Sequence, residues 1–215
     1  MQSVTEIRRE LSSNVTELRD ISERMQTENQ ERADLLEKKL HSAEERMLAA
    51  EMQAKQDELT GIGNRRMAEN AIQSAISSGI QFSMMLFDLD RFKEVNDRCG
   101  NLQGDHLLKA VAGQLRQCVR GDDLVCRWGG DEFMVVLPNT GLEAARSRAE
   151  HIQADAFGQF VLERGAIVTV TASVGVAQHL PDESAAAFFD RVDQLMYEKK
   201  ARQGRTAAAE RPSRQ

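Results

Sequence analysis

Neither proline nor glycine occurs in the first 56 residues, so nothing there interrupts a helix. No apolar run approaches the ~20 residues that a bilayer crossing needs. The longest, Phe82 to Phe87 and Ala166 to Ala177 with its interspersed threonines, fall well short. No block of lysine and arginine stands out either. With 28 basic and 34 acidic residues the net charge is −6, which argues against electrostatic capture of nucleic acid or of an anionic membrane. A nucleotide would have to be met by a locally positive pocket. The three cysteines, Cys99, Cys118 and Cys126, cannot all pair within one chain and lack metal-ligand spacing. No charged start leads into an apolar core at the N-terminus, and the reading is a soluble, cytoplasmic chain with reduced core thiols. The four histidines, His41, His106, His151 and His179, are scattered, and the nine methionines, Met84 and Met85 among them, read as core.

The 215 residues fit one globular domain plus one extra element. The extra element is a predicted coiled-coil helix over 1–56. Val4, Ile7, Leu11, Asn14, Leu18, Ile21 and Met25 recur at steps of three and four, the narrow seam of a coiled coil. Asn14, the one polar seam position, favours a specific parallel dimer. A second seam, Ala33, Leu36, Leu40, Ala43, Met47 and Ala50, is out of phase with the first across Gln26 to Arg32, which predicts a weak or locally unwound coil there. A helix packed on its own domain is the alternative.

Asp57-Glu58-Leu59-Thr60-Gly61-Ile62-Gly63-Asn64 opens a second unit, expected over 57–205, with a flexible tail over 206–215. The pattern predicts helices near 65–77, 91–98, 105–119, 142–156 and 183–202, and strands near 82–88, 124–127, 132–137 and 167–176. Trp128-Gly129-Gly130-Asp131 falls between two short apolar runs as a hairpin turn, so the expected fold is α/β with a mixed sheet and an antiparallel hairpin.

Leu86-Phe87-Asp88-Leu89-Asp90 carries an apolar strand into two carboxylates, which are costly there unless a cation meets them. Asp88 and Asp90 would share a face if the strand persists through both; Asp90 could equally cap the next helix. Asp131 and Glu132 follow Gly129 and Gly130, where glycine permits positive φ and lets backbone approach a phosphate or a base. Alone, that would read as an ordinary turn with solvated acids. Two acidic clusters on adjacent strand ends point instead to magnesium-dependent phosphoryl or nucleotidyl transfer on a nucleoside triphosphate.

Arg127-Trp128-Gly129-Gly130-Asp131-Glu132-Phe133 contains the Gly-Gly-Asp-Glu-Phe signature of the diguanylate cyclase (GGDEF-domain) family. Four further blocks resemble that family in order: Asp57-Glu58-Leu59-Thr60-Gly61 with Asn64-Arg65-Arg66; Phe87 to Lys93 with Asn96-Asp97 and Gly104-Asp105; Ala172 to Val176; and Asp193 through Tyr197 to Arg205. The resemblance spans Asp57 to about Arg205. It implies a sheet like those of nucleotidyl cyclases and polymerase palms, and the joining of two GTP molecules into cyclic di-GMP by a homodimer in which each domain supplies half a catalytic site. It further implies that Asp88, Asp131 and the Leu89 carbonyl hold two Mg2+ (or Mn2+) ions, with Glu132 as a further ligand or as the base for the 3′-hydroxyl. Asn96 and Asp105 would read the guanine edge, because a carboxylate accepts from N1–H and the 2-amino group, which adenine does not present in that arrangement. Asp105 could otherwise be a helix N-cap. Arg91, Phe92, Lys93, Gly129 and Gly130 complete the substrate set, and Lys93, Lys200 and Arg205 would face the β- and γ-phosphates.

Arg120 and Asp123 match in form and offset the family's inhibitory product site, and suit a stacked guanine dinucleotide. Three positions depart from the family pattern: Asn101 stands where many relatives have histidine, one extra residue separates Lys200 from Arg205 so that Arg202 could substitute, and Thr206 replaces an asparagine. The whole reads as a cyclase driven by its N-terminal helix, open to an upstream sensor domain. A catalytically silent GTP or cyclic di-GMP sensor is the alternative, disfavoured by the complete set of acids.

Overall fold

The computed structural model describes residues 4–162 and 165–209, with side chains at 4, 5, 7, 48–50, 52 and 202–209 outside the described set. The chain divides into two compact units, Met1–Ala54 and Lys55–Gln215. The first is a single helix, α1 (Val4–Gln53). It runs unbroken through Gln26 to Arg32, where the slip between seams predicts unwinding. A side-chain pair at i,i+4 spacing supports it there, with Gln30 Nε2 donating to Asp34 Oδ1 at 2.9 Å, and the Thr27 hydroxyl folds back onto the Glu23 carbonyl at 3.0 Å. Leu11, Leu18, Met25, Leu36, Leu40 and Met47 of the two seams are each more than half exposed. The side chains of Val4, Ile7 and Ala50 lie outside the described residues.

In chain order the second unit contains β1 (Gly63–Asn64), α2 (Arg65–Ser77), β2 (Phe82–Leu89), α3 (Phe92–Cys99), α4 (Asn101–Cys118), β3 (Leu124–Arg127) and β4 (Glu132–Pro138). It continues with α5 (Leu142–Ala156), β5 (Gly158–Val161), β6 (Ile167–Val170), β7 (Ala172–Gln178) and α6 (Ala185–Ala209). Five strands form one sheet in the order β1-β3-β4-β2-β7. β1 pairs parallel with β3, and the other neighbours are antiparallel, which is the mixed sheet with a β3–β4 hairpin that the sequence predicts.

All eight residues of β2 are buried. Met85, Phe87 and Leu89 pack with Leu107, Val111 and Ala149 of α4 and α5, whereas Phe82, Met84 and Leu86 pack with Ile72 of α2 and Phe188 of α6. Burying side chains of this size stabilises the fold by roughly 1.5–3 kcal/mol each, so the central strand is firmly anchored. Its period of two carries Asp88 onto the α2–α6 side.

Four elements differ from the sequence expectation. α4 begins at Asn101 and not at Asp105, because Gly100, at φ 88°, ends α3 by donating its N–H to the Asn96 carbonyl at 2.8 Å and serves as the N-cap of α4. Asp105 therefore sits inside a helix and caps nothing. The strand expected over 167–176 breaks at Thr171, whose carbonyl accepts the Asp90 N–H at 2.9 Å. Its first part, β6, turns away to pair with β5, a short strand the sequence does not predict. α6 continues through Gly204 to Ala209, into the span expected to be tail; residues 210–215 lie outside the described set. No helix among the described residues is long and apolar enough to cross a membrane.

Candidate functional site

Asp88 and Glu132 are direct cross-strand partners in the β2–β4 ladder, so two like charges face each other at the strand ends, a pairing that destabilises a sheet. Asp88 is 8% exposed. Asp131 lies in the turn beside them, and its carbonyl accepts the Leu89 N–H at 3.1 Å. Lys200, brought in by α6, answers the cluster with Nζ 2.5 Å from Asp88 Oδ1. Burial and the charge of Asp88 push the Asp131 carboxyl above the ordinary carboxylate range. Glu132 is raised too, by burial and then by Asp88, Asp131 and Asp193. Burial depresses the Lys200 ammonium, but the hydrogen bond to Asp88 and the charges of Asp88, Asp131 and Asp90 outweigh it, leaving Lys200 above its usual value.

One lysine cannot neutralise this cluster, and its donors are all hard oxygens, so the residues fit a divalent ion such as magnesium. Among the described residues no three His, Cys, Asp or Glu side chains close a metal cage by themselves. Magnesium is ordinarily held by one or two carboxylates, with phosphate oxygens of the substrate completing its shell.

The Gly-Gly turn is shaped by space and not by backbone sign. Neither Gly129 nor Gly130 has a positive φ, contrary to the expectation from sequence. A β-carbon at Gly129 would instead run into the Glu132 carboxylate, so glycine there is what allows the acid to fold back over the turn. The Trp128 and Gly129 N–H groups both donate to the Glu132 carbonyl, at 2.8 and 3.3 Å. Arg127 braces the turn from beneath: Nη2 and Nε donate to the Gly130 carbonyl at 2.8 and 3.2 Å, and Nη1 reaches the Asp57 carboxylate at 3.3 and 3.4 Å. Asp57 in turn accepts from the Thr60 N–H at 2.9 Å and from the Thr60 hydroxyl at 2.6 Å. Burial raises the Asp57 carboxyl, but these hydrogen bonds and the charge of Arg127 outweigh that and hold it below its ordinary value. Trp128, beside the glycines, stacks with the Phe189 ring at 4.8 Å between centroids and has the Arg65 guanidinium over its ring at 4.4 Å.

A cavity of about 300 Å³ opens between α3, α4 and the hairpin. Asn96, Asp105, Phe92, Lys93, Gly130 and Asp131 line it, so most of the residues expected to bind substrate do meet. Asn96 Oδ1 is buried with no hydrogen-bond partner among the described residues. It lies so close to Gly104 that a β-carbon there would clash with it, which fixes glycine at that position. Arg91 is placed elsewhere. With φ 59° it precedes α3, and its side chain lines a larger cavity of about 780 Å³ with Asp90, Arg98, Thr171 and Lys200. Asp90 does not cap α3; its carboxylate accepts from the Thr171 and Ser173 hydroxyls at 2.6 and 2.7 Å, tying the end of β2 to β7, and its charge acts on Lys200 together with that of Asp88. The side chains of Arg202 and Arg205 lie outside the described residues.

Arg120 and Asp123 line a separate cavity of about 330 Å³ with Arg116. The Arg120 side chain is exposed, while its backbone N–H donates to Asp123 Oδ2 at 2.8 Å. Asp123 is also gripped by Arg148, whose Nη1 reaches Oδ1 at 3.3 Å and whose Nη2 binds Oδ2. Arg148 was not singled out from sequence, and Arg127 and Asp193, though they open two of the resembling blocks, were given no site role. A lone arginine or aspartate at a strand end or on a helix gives no pattern that separates it from solvated surface, although Arg127 stands directly before the signature turn.

Residues 54–206 match the family model described as "Diguanylate cyclase, GGDEF domain". The chain is similar to diguanylate cyclase DgcM of Escherichia coli (strain K12), with 38% identity over 151 residues, covering 68% of this chain and 36% of that protein. It thus spans about a third of that relative's length. In structure it is similar to diguanylate cyclase SiaD from Pseudomonas aeruginosa, solved in complex with its activator SiaC, with TM-score 0.69 and 28% identity over 92% of this chain and 79% of the other. It is also similar to the GGDEF domain of DgcB from Caulobacter crescentus in complex with c-di-GMP, with TM-score 0.63 and 25% identity over 69% of this chain and 91% of the other.

Proposed function

Since the chain belongs to the GGDEF-domain family of diguanylate cyclases, we propose that it condenses two GTP molecules into cyclic di-GMP with release of two pyrophosphates. The observation that carries this reading is the cavity in which Asn96, with its unpartnered buried oxygen, and Asp105 lie on one side and Asp131 on the other. Guanine enters between α3 and α4, where the Asp105 carboxylate accepts from N1–H and the 2-amino group. Lys93 and Lys200 draw the phosphate tail toward the strand ends.

Asp88, Asp131 and the Leu89 carbonyl would hold the divalent ions, with Glu132 either a further ligand or the base for the 3′-hydroxyl; the ions would supply charge neutralisation of the triphosphate and activation of that hydroxyl. As the base, the Glu132 carboxylate would accept that hydroxyl's proton from its place at the end of β4, opposite Asp88. Arg127 fixes the Gly130 carbonyl, and with it the positions of Asp131 and Glu132. One domain offers one nucleotide cavity of this kind, so two chains facing each other complete the reaction, and the exposed seam of α1 is the surface that joins them. Cyclic di-GMP then returns to the cavity of Arg116, Arg120 and Asp123 as an inhibitor. A sensor domain upstream would act through α1, and the reaction belongs to the reducing cytoplasm, where Cys99, Cys118 and Cys126 stay free.

The test is incubation with GTP and magnesium, with products identified by mass. Cyclic di-GMP and pyrophosphate in a one-to-two ratio support the reading. Recovery of unchanged GTP from a dimeric protein would refute it in favour of a silent sensor.

A further inference from the structure

Asn101 lines the same cavity as Asn96 and Asp105. The early start of α4 puts it one helical turn before Asp105, and residues four apart on a helix are surface neighbours, about 5–6 Å apart at Cβ. Among the described residues neither the Asn101 carboxamide nor the Asp105 carboxylate has a hydrogen-bond partner. The cavity wall therefore presents, side by side, an acceptor-only carboxylate and a carboxamide that can donate. Guanine shows the complementary order along one edge: the 2-amino and N1–H donors, then the O6 acceptor.

We propose that Asn101 is a third base-reading residue beside Asn96 and Asp105, which donates from Nδ2 to guanine O6 while Asp105 accepts from N1–H and the 2-amino group. This rests on the reading of the cavity as the GTP site. The amide on its own would not distinguish purines, since it can turn over and accept from the 6-amino group of adenine. Next to Asp105 it has one useful orientation, because the carboxylate fixes which edge of the base enters.

The test pairs residue changes with changes to single atoms of the ligand. Binding of GTP, of 6-thioguanosine triphosphate (a weak acceptor in place of O6) and of inosine triphosphate (no 2-amino group) is measured by calorimetry in a Glu132→Gln background, so that nucleotide is not consumed. The parent is expected to prefer GTP over the 6-thio analogue by about three- to tenfold, the worth of one neutral hydrogen bond. Asn101→Ala should abolish that preference and keep the preference over inosine triphosphate. Asp105→Ala should do the reverse, so each variant controls for a general loss of pocket shape. An undiminished preference for GTP over the 6-thio analogue in Asn101→Ala, in a protein that binds GTP, overturns the role of Asn101 alone. Failure of the parent to bind any guanine nucleotide overturns the reading of the cavity as well.

Discussion

Replacing Arg127 by methionine keeps most of the apolar stem and removes the guanidinium that joins Asp57 to the Gly130 carbonyl. Two donor bonds into one acceptor disappear, at 2.8 and 3.2 Å, together with two longer approaches to Asp57, at 3.3 and 3.4 Å. A hydrogen bond from a charged donor is worth about 1.5–3 kcal/mol, and a loosely spaced ion pair adds about 0–1 kcal/mol. Because the first two donors share one oxygen, we expect a loss of about 2–3 kcal/mol, read as a fall in Tm of roughly 4–12 °C. Turnover should suffer more than stability. Displacing Asp131 and Glu132 by about 1 Å can slow the reaction about a hundredfold, so pyrophosphate release should drop by one to two orders of magnitude under conditions where the variant is fully folded. Arg127→Lys, which keeps charge but loses the planar fork, should fall between. The pH dependence has a fixed sign. Asp57 is held below its ordinary value of 3.8 in the folded state, so its contribution is complete above that value and fades as pH falls through the lowered one. The stability gap between parent and Arg127→Met should therefore stay level from neutral pH to about 5 and shrink only in strong acid. If Arg127→Met melts lower yet turns over within twofold of the parent, the arginine supports the fold without positioning the hairpin, and the reasoning fails.

Glu132→Gln should slow condensation by roughly 10²–10⁴-fold, the range for a lost acid–base group, and should also raise Tm at pH 7. In the folded protein Glu132 binds its proton more tightly than an ordinary glutamate, so its ionised form destabilises the fold, and the gain should vanish as pH falls and the parent protonates; a lowered Tm at neutral pH would contradict this. Arg120→Ala should keep the initial rate and lose inhibition by added cyclic di-GMP. Arg148→Ala, which strips a guanidinium from a carboxylate whose side chain is 4% exposed, should lose that inhibition and about 3 kcal/mol of stability; full product sensitivity in either variant would show that the cavity is not an inhibitory site. Deleting one to seven residues between Gln26 and Arg32, assayed where all variants are dimeric, should give activity that falls and recovers with a period near ~3.5 residues; a monotonic decline would mean that the helix only tethers the catalytic domains.

The mixed sheet and the acidic cluster were legible in the sequence because each rests on local signals: a continuous apolar strand ending in Asp88, and two glycines between apolar runs. The start of α4 was not. Gly104-Asp105 looks like a helix start, and only the close approach of Asn96 to Gly104 explains a glycine inside the helix. The break at Thr171 was hidden for the same reason, since it depends on hydrogen bonds to Asp90, 81 residues away in sequence. Arg148 on Asp123 and Arg127 on Asp57 belong to the same class. A partner distant in sequence leaves no periodic trace, and a charged residue facing it is indistinguishable from one facing water.

The chain has a single tryptophan, and the fold sets it in the residue before the Gly-Gly turn, in contact with a guanidinium and a phenyl ring. Any fluorescence excited at the red edge of the protein absorption band therefore originates beside the Gly129-Gly130 turn. An indole clamped in this way should have slow rotational depolarisation and limited access to collisional quenchers, and both properties will respond when a nucleotide or a second chain closes over the hairpin. The proposed loading of nucleotide and pairing of two chains could then be followed by stopped flow on the unlabelled protein, with their order read from one optical channel.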